Sequence, residues 1–249
     1  MVSNNQFSNI GFEDFRRLAT DQSLSKYEKI GFPDIYRQGF EVEIFSDIVS
    51  KLNNLKSNKV QVLDIGPGCS DLPIMLINLC RKYGHQLTLI DSKEMLDHLP
   101  NELFIEKISA LYPNCSELIA RLLGRVDVIL CYSVLHYVLL DTAFFRFIDT
   151  SLSLLAPGGQ MLIGDIPNVS KRKRFFASGN GVRFHQEFMK TADLPDITFN
   201  TIEHDHIDDA VVMSILQRAR AQGFDAYVLP QGSNLPMANR REDILISRP

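Results

Sequence analysis

With 249 residues, 45% hydrophobic and 22% charged, the chain is long enough for one well-buried α/β domain and an accessory segment. Its formal net charge of -4 argues against a general nucleic-acid binder, whose field should be basic, and leaves room only for a local basic patch. Cys69, Cys80, Cys115 and Cys131 form no CxxC pair, which fits reduced thiols rather than a disulfide frame or a zinc site. The opening MVSNNQFSNIGF has no basic segment followed by an apolar run, and no stretch approaches the roughly eighteen apolar residues of a membrane span. The expectation is a cytoplasmic protein.

In chain order, helical pieces are predicted at Glu13–Thr20 and Leu24–Ile30, the second ended by Gly31 and Pro33. A longer helix follows, because Phe40, Ile44, Phe45, Ile48, Val49 and Leu52 recur at helical spacing; the polar run 53–58 reads as a linker. Strand and helix signals then alternate: strand Val60–Ile65, helix Leu72–Tyr83, strand Gln86–Asp91, short helix Lys93–Leu99 and weak strand Leu103–Ile108. Helix Ser116–Leu123, strand Val126–Tyr132, helix Ala143–Leu155 and strand Gln160–Ile166 continue the series, with Pro157-Gly158-Gly159 ending the last helix. This rhythm predicts an α/β fold with a parallel sheet and helices on both faces. Residues 167–209 break it. After helix Ala210–Gln222, strands Ala226–Pro230 and Asp243–Ser247 with no helix between them predict an antiparallel pair at the sheet edge.

The stretch VLDIGPGCSDLP carries the first chemical signal. A dinucleotide loop needs G-x-G-x-x-G, yet the third position here is Asp71, whose carboxylate would repel a pyrophosphate at the helix N-terminus. No Gly-Lys-Ser/Thr follows, so it is not a P-loop. Asp64 just before the loop suits a cationic ligand, and Asp91 at the end of the next strand can accept both hydroxyls of a ribose. Met95 and Leu96 suit an adenine face. Adenosine, a positive tail and no phosphate describe S-adenosylmethionine (SAM).

The order VLDIGPGCSD, LTLIDSKEML, VDVILCYSVLHYV and LLAPGGQMLIGD resembles the class I SAM-dependent methyltransferases. The resemblance implies a seven-stranded, mostly parallel sheet with helices on both faces and an antiparallel last strand. It also implies SAM as cofactor and S-adenosylhomocysteine (SAH) as product. On this reading residues 1–58 are a helical lid and 59–249 the SAM-binding methyltransferase domain, with 167–209 a substrate-cap insertion. Asp64, Gly66, Pro67 and Gly68 would shape the methionine side, Asp91 would hold the ribose, and Ser92, Met95, Lys107 and Ile108 would sit by the adenine. Tyr132 and Ser133 would face the methyl group, and Tyr36 and Arg37 would close over the cofactor carboxylate.

Methyl transfer needs alignment and, for some acceptors, a base. His136 is the first candidate because histidine titrates near neutrality; Asp165 and His185 are the others. The run Lys171-Arg172-Lys173-Arg174 lies directly after the fifth strand, so Arg172 and Arg174, with Arg183 and Tyr36, are candidate substrate contacts; the alternative is a solvated face. Glu203 to Asp209, EHDHIDD, looks like ligand material but reads better as a loop capped by Asp208 or Asp209, and no metal is expected. No Asn/Asp-Pro-Pro-aromatic tetrapeptide follows the fourth strand, which argues against a nucleobase amine as acceptor. The expected partner is a small, anionic metabolite, such as a sugar or surface-glycan precursor methylated on oxygen, with no DNA, RNA or membrane. The chain would be a monomer or homodimer. An RNA or protein methyltransferase and a non-catalytic SAM-binding regulator are the other classes.

Overall fold

The computed structural model describes residues 10–249. Residues 1–9, part of the opening read above for a leader, lie outside the described residues. Helix α1 spans Phe12–Thr20, and the next expected helix shrinks to a 3-10 turn, Glu28–Ile30, stopped by Gly31 in the left-handed region. A second 3-10 turn, Asp34–Tyr36, leads into α2, Glu41–Lys51, whose stripe buries Ile44, Ile48 and Leu52. The expected linker is instead a packed 3-10 turn, Asn53–Lys56. Leu55 is fully buried there, and the Asn54 amide donates to Gly158 O at 2.9 Å and Asp127 O at 3.2 Å.

The sheet then builds as expected. Its strands are β1 (Gln61–Ile65), β2 (Gln86–Asp91), β3 (Ile105–Ser109), β4 (Val126–Tyr132), β5 (Leu155–Pro167), β6 (Asp225–Pro230) and β7 (Arg241–Ser247). They form one seven-stranded sheet in the order β3-β2-β1-β4-β5-β7-β6. The first five are parallel neighbours, while β7 runs antiparallel between β5 and β6. β5 starts sooner than the Pro-Gly-Gly signal suggests, because residues 156–159 bulge between the pairs Val126–Leu155 and Val128–Gln160.

Helices α3 (Asp71–Tyr83) and α4 (Lys93–Leu96) join α2 on one face, over Val62, Leu87 and Leu130. Helices α5 (Ser116–Leu122), α6 (Leu135–Asp141), α7 (Phe144–Leu154) and, later, α10 (Asp209–Ala221) cover the other, over Leu63, Ile129 and Ile163. Alternation along each strand divides the two cores. Helix α6 was not anticipated; Thr142 in extended conformation separates it from α7. The irregular insertion contains α8 (Val169–Phe176) and α9 (Gly179–Met189), with no regular structure from 190 to 208. Among the described residues no helix is long and apolar enough to cross a membrane.

Candidate active site

A cavity of about 130 Å³ opens at the carboxyl ends of β1, β2 and β4, where β1 lies between β2 and β4 and the strand order reverses. Open α/β sheets bind ligands at such a switch point. Gly66, Pro67 and Gly68 form one wall. Both glycines are left-handed, at φ 70° and 66°, a region that L side chains disfavour. Asp91 at the end of β2 fixes this loop: its Oδ2 accepts from Gly68 N at 3.0 Å and its Oδ1 from Ser92 N at 2.7 Å. Burial nevertheless lifts its carboxyl to about 6, those two N–H groups pulling the other way. Met95 lies beside it, and Ala110, Leu111 and Tyr112 after β3 complete this end.

The roof comes from the amino-terminal segment. Phe12, Phe15, Ile30, Phe32 and Arg37 line the cavity opposite the sheet, with Tyr137, Val138 and Asp141 of α6 alongside. The segment is anchored at several points. Phe12 N donates to Asp141 Oδ2 at 3.0 Å, Arg16 forms a two-point pair with Glu94 at 3.0 and 2.9 Å, and Lys26 meets Asp71 at 2.5 Å. Asp71 thus faces a lysine, and Ser70 caps α3.

At the other end of the cavity, Arg37 reaches a buried polar cluster. Its Nη2 donates to Asp165 Oδ2 at 2.9 Å and also to Ser133 Oγ. Ser133 donates to the same carboxylate oxygen at 2.5 Å, and Arg241 Nη1 approaches it at 3.0 Å. Asp165 N is held by Asp243 Oδ1 at 2.8 Å, and Asp243 pairs with Lys51 at 2.7 Å. Burial opposes ionisation of Asp165, but Arg241, Arg37 and the Ser133 hydroxyl outweigh it and keep the carboxyl below its usual range. Ser133 and Asp165 are both left-handed, at φ 62° and 58°, so two neighbouring strand ends carry the backbone strain often found at functional sites. Arg37 Nε and His136 Nδ1 are buried without a hydrogen-bond partner among the described residues.

Several expected residues are not on the cavity wall. Asp64 points with Val62 to the α3 face, and burial, reinforced by Asp91, lifts its carboxyl to about 8; it stands as a protonated core group rather than a surface charge. Ser92 is the N-cap of α4, its Oγ accepting from Met95 N at 3.2 Å. Lys107 turns away to Leu99 O at 2.7 Å, and Ile108 packs on the core; the chain reaches the cavity only at Ala110, beyond the strand end. His136 lies just outside the wall, against Tyr137. Burial, with Arg241 adding like charge, drops its imidazole to about 3.

The cap contributes none of its predicted side chains to the cavity. His185 lies edge-on to Phe176, and Arg183 bonds Asn180 on its own helix. Arg172 pairs with Glu203 at 3.0 Å and Arg174 with Asp209, so the basic run ties α8 to the loop before α10. Tyr36 lies beside a shallow depression that shares Arg37 and Tyr132 with the main cavity. In the acidic loop Asp208 caps α10, accepting from Val211 N at 2.9 Å. Among the described residues no three potential ligands gather for a metal.

Sequence reasoning missed the aromatic roof, the residues after β3, and Arg241. The first two carry no motif. Arg241 reaches Asp165 only because β7 inserts beside β5.

No protein-family model and no curated protein matches the chain. Solved structures do. The CurJ carbon methyltransferase is similar with a TM-score of 0.57 at 15% identity, over 86% of this chain; the chain spans 57% of that protein's length. The N-methyltransferase NodS from Bradyrhizobium japonicum, solved with SAH, gives 0.54 at 16% identity, over 96% of this chain and 98% of that one. The plantazolicin methyltransferase BpumL, also solved with SAH, gives 0.55 at 14%, over 95% and 96%. By strand order, reversed β7 and these likenesses, the chain has the fold of the class I SAM-dependent methyltransferases.

Proposed function

We propose that the chain is a SAM-dependent methyltransferase acting on a small molecule. The observation that supports it most is the glycine loop held by Asp91 at the switch point, opening on a cavity with one carboxylate end and one guanidinium end. The residues suit the cofactor group by group. Asp91 accepts a ribose diol, Met95 and Leu111 flank a planar base, and Arg37 Nε offers a buried donor to a carboxylate. When bound, SAM supplies an electrophilic methyl group. The roof of Phe12, Phe15 and Phe32 excludes water from it.

The acceptor would lie at the Ser133–Asp165 end, beneath His136. Neither candidate base is tuned to hold a proton near neutrality: Asp165 stays ionised between two arginines, and burial keeps His136 neutral. These groups position an acceptor better than they deprotonate one. The site therefore favours an atom that needs no base, such as a carboxylate oxygen or an unprotonated nitrogen, over a sugar hydroxyl.

Calorimetry with SAH tests the cofactor assignment. Asp91→Asn should weaken binding roughly 100-fold by removing charge-assisted acceptors for the diol. Hydroxyl donors favour the ionised carboxylate, so wild-type affinity should fall about tenfold from pH 7 to pH 5 as Asp91, at about 6 when free, takes up a proton. Unchanged affinity in the variant and a flat pH profile would refute the assignment.

A further inference from the structure

Three cations of the basic run find carboxylates and Lys171 meets the Arg241 carbonyl oxygen at 2.6 Å, but Arg240, just before β7, finds none among the described residues. Arg172 and Lys173 share Glu203, Arg174 has Asp209, and Arg37 and Arg241 share Asp165. Glu242 accepts from Asn168, and Asp243 pairs with Lys51. Arg240 pairs with no carboxylate among the described residues. Among the described residues its side chain makes one hydrogen bond, from Nη1 to Asn239 Oδ1 at 3.0 Å. Most of the five N–H donors of its guanidinium fork are unengaged.

Its position joins three parts of the molecule. Its carbonyl accepts from Asn168 N at 3.3 Å at the head of α8, and its guanidinium stands 5.8 Å from the centre of the Phe184 ring on α9. Tyr36 of the amino-terminal segment and Asp165 of the polar cluster lie within electrostatic reach. Burial disfavours its charge, Tyr36 and Asp165 favour it, and Arg241 and Arg172 add like charge. Beside Arg240, Arg37 and Arg241 share the single carboxylate of Asp165, and Arg172 and Lys173 share that of Glu203. A partly buried, unpaired guanidinium in an excess of positive charge is stabilised by an incoming anion.

We propose that Arg240, braced on Phe184, is an anion subsite that grips a phosphate or carboxylate group of the methyl acceptor where the cap meets β7. This rests on the reading of the adjacent cavity as the cofactor site. It places anion recognition at the entry to the strand that the fold inserts beside β5, not on the basic run.

The test uses the full chain and inorganic pyrophosphate as probe, against sodium chloride at matched ionic strength, with and without SAH. Pyrophosphate should raise the melting temperature of the wild type and of Arg183→Gln. Arg240→Gln should lose about tenfold or more in pyrophosphate affinity, with Arg240→Lys intermediate and SAH affinity unchanged in both. No stabilisation of the wild type, or equal affinity in Arg240→Gln, would overturn the subsite. Ligand-induced shifts are compared within each variant, so a less stable Arg240→Gln still reports. Absent SAH binding with an intact Arg240-dependent response would overturn the cofactor reading instead and leave the anion site standing.

Discussion

A methyl group added at Gly66 would meet Val134 Cγ2 at 2.6 Å, and one at Gly68 would meet Ile30 Cγ2 at 2.7 Å. Each glycine therefore answers two demands, a left-handed turn and the close approach of a neighbour. The neighbours differ in kind. Val134 belongs to the chain just after β4, whereas Ile30 belongs to the roof, so Gly68 is where loop and roof touch. Gly66→Ala should cost roughly 2 kcal/mol, from strain at positive φ and displacement of Val134. Urea unfolding checks this, and SAH affinity should fall with it because the loop moves. A loss below about 0.5 kcal/mol would mean that the turn relaxes freely. The carboxylates make the same point about local context. Asp64 and Asp91 both look like ligand groups in sequence, yet one is sealed beneath α3 and the other faces the cavity.

At the level of elements, α1 behaves as a strap. Its N-cap, Gly11, has no side chain to offer; Asp14 accepts the Gly11 N–H at 2.8 Å, and Asp141 of α6 accepts the Phe12 N–H. Near its other end, Arg16 holds Glu94 of α4 and Ala19 O meets the His98 ring at 2.8 Å. The strap thus spans the cavity between two elements that themselves line or flank it. Asp141→Ala should weaken it by about 1 kcal/mol, the usual worth of a helix cap. Hydrogen exchange should then rise across residues 12–20 while β1 and β4 stay protected, and SAH should dissociate faster. Equal protection in α1 would show that its apolar contacts alone hold it.

For the molecule as a whole, the cluster around Asp165 welds the amino-terminal segment to the sheet. Arg37 comes from before α2, Arg241 from β7 and Ser133 from just after β4, and all three converge on the buried carboxylate of Asp165 in β5. Asp165→Asn leaves two buried guanidinium groups without a countercharge and should cost about 3–5 kcal/mol. The sign of its pH dependence follows from the depressed carboxyl. The contribution is full above the unfolded value of about 3.9 and is lost as pH falls through the lower folded value. Thermal melts of wild type and variant should therefore stay far apart at neutral pH and converge only below about pH 4. A gap that closes already at pH 6 would assign the stability to other groups.

The alternation of strands and helices and the glycine loop were legible in the sequence because both depend on local rules. Apolar runs alternating with capped helices define a parallel sheet, and Gly66-Pro67-Gly68 with Asp71 at the next helix start disfavours a pyrophosphate. Pairing of the last two strands followed from the missing crossover helix. Tertiary structure decided the rest. Which side of β1 Asp64 faces, which cations find a carboxylate, and which aromatic side chains roof the cavity depend on packing between residues far apart in the chain. Arg172 and Arg240 are equally basic as letters. Glu203 folds back onto the first, and the entry to β7 carries the second to the edge of the cap, paired with no carboxylate among the described residues. Charge is written in the sequence, but compensation is a property of neighbours, and only the fold supplies those.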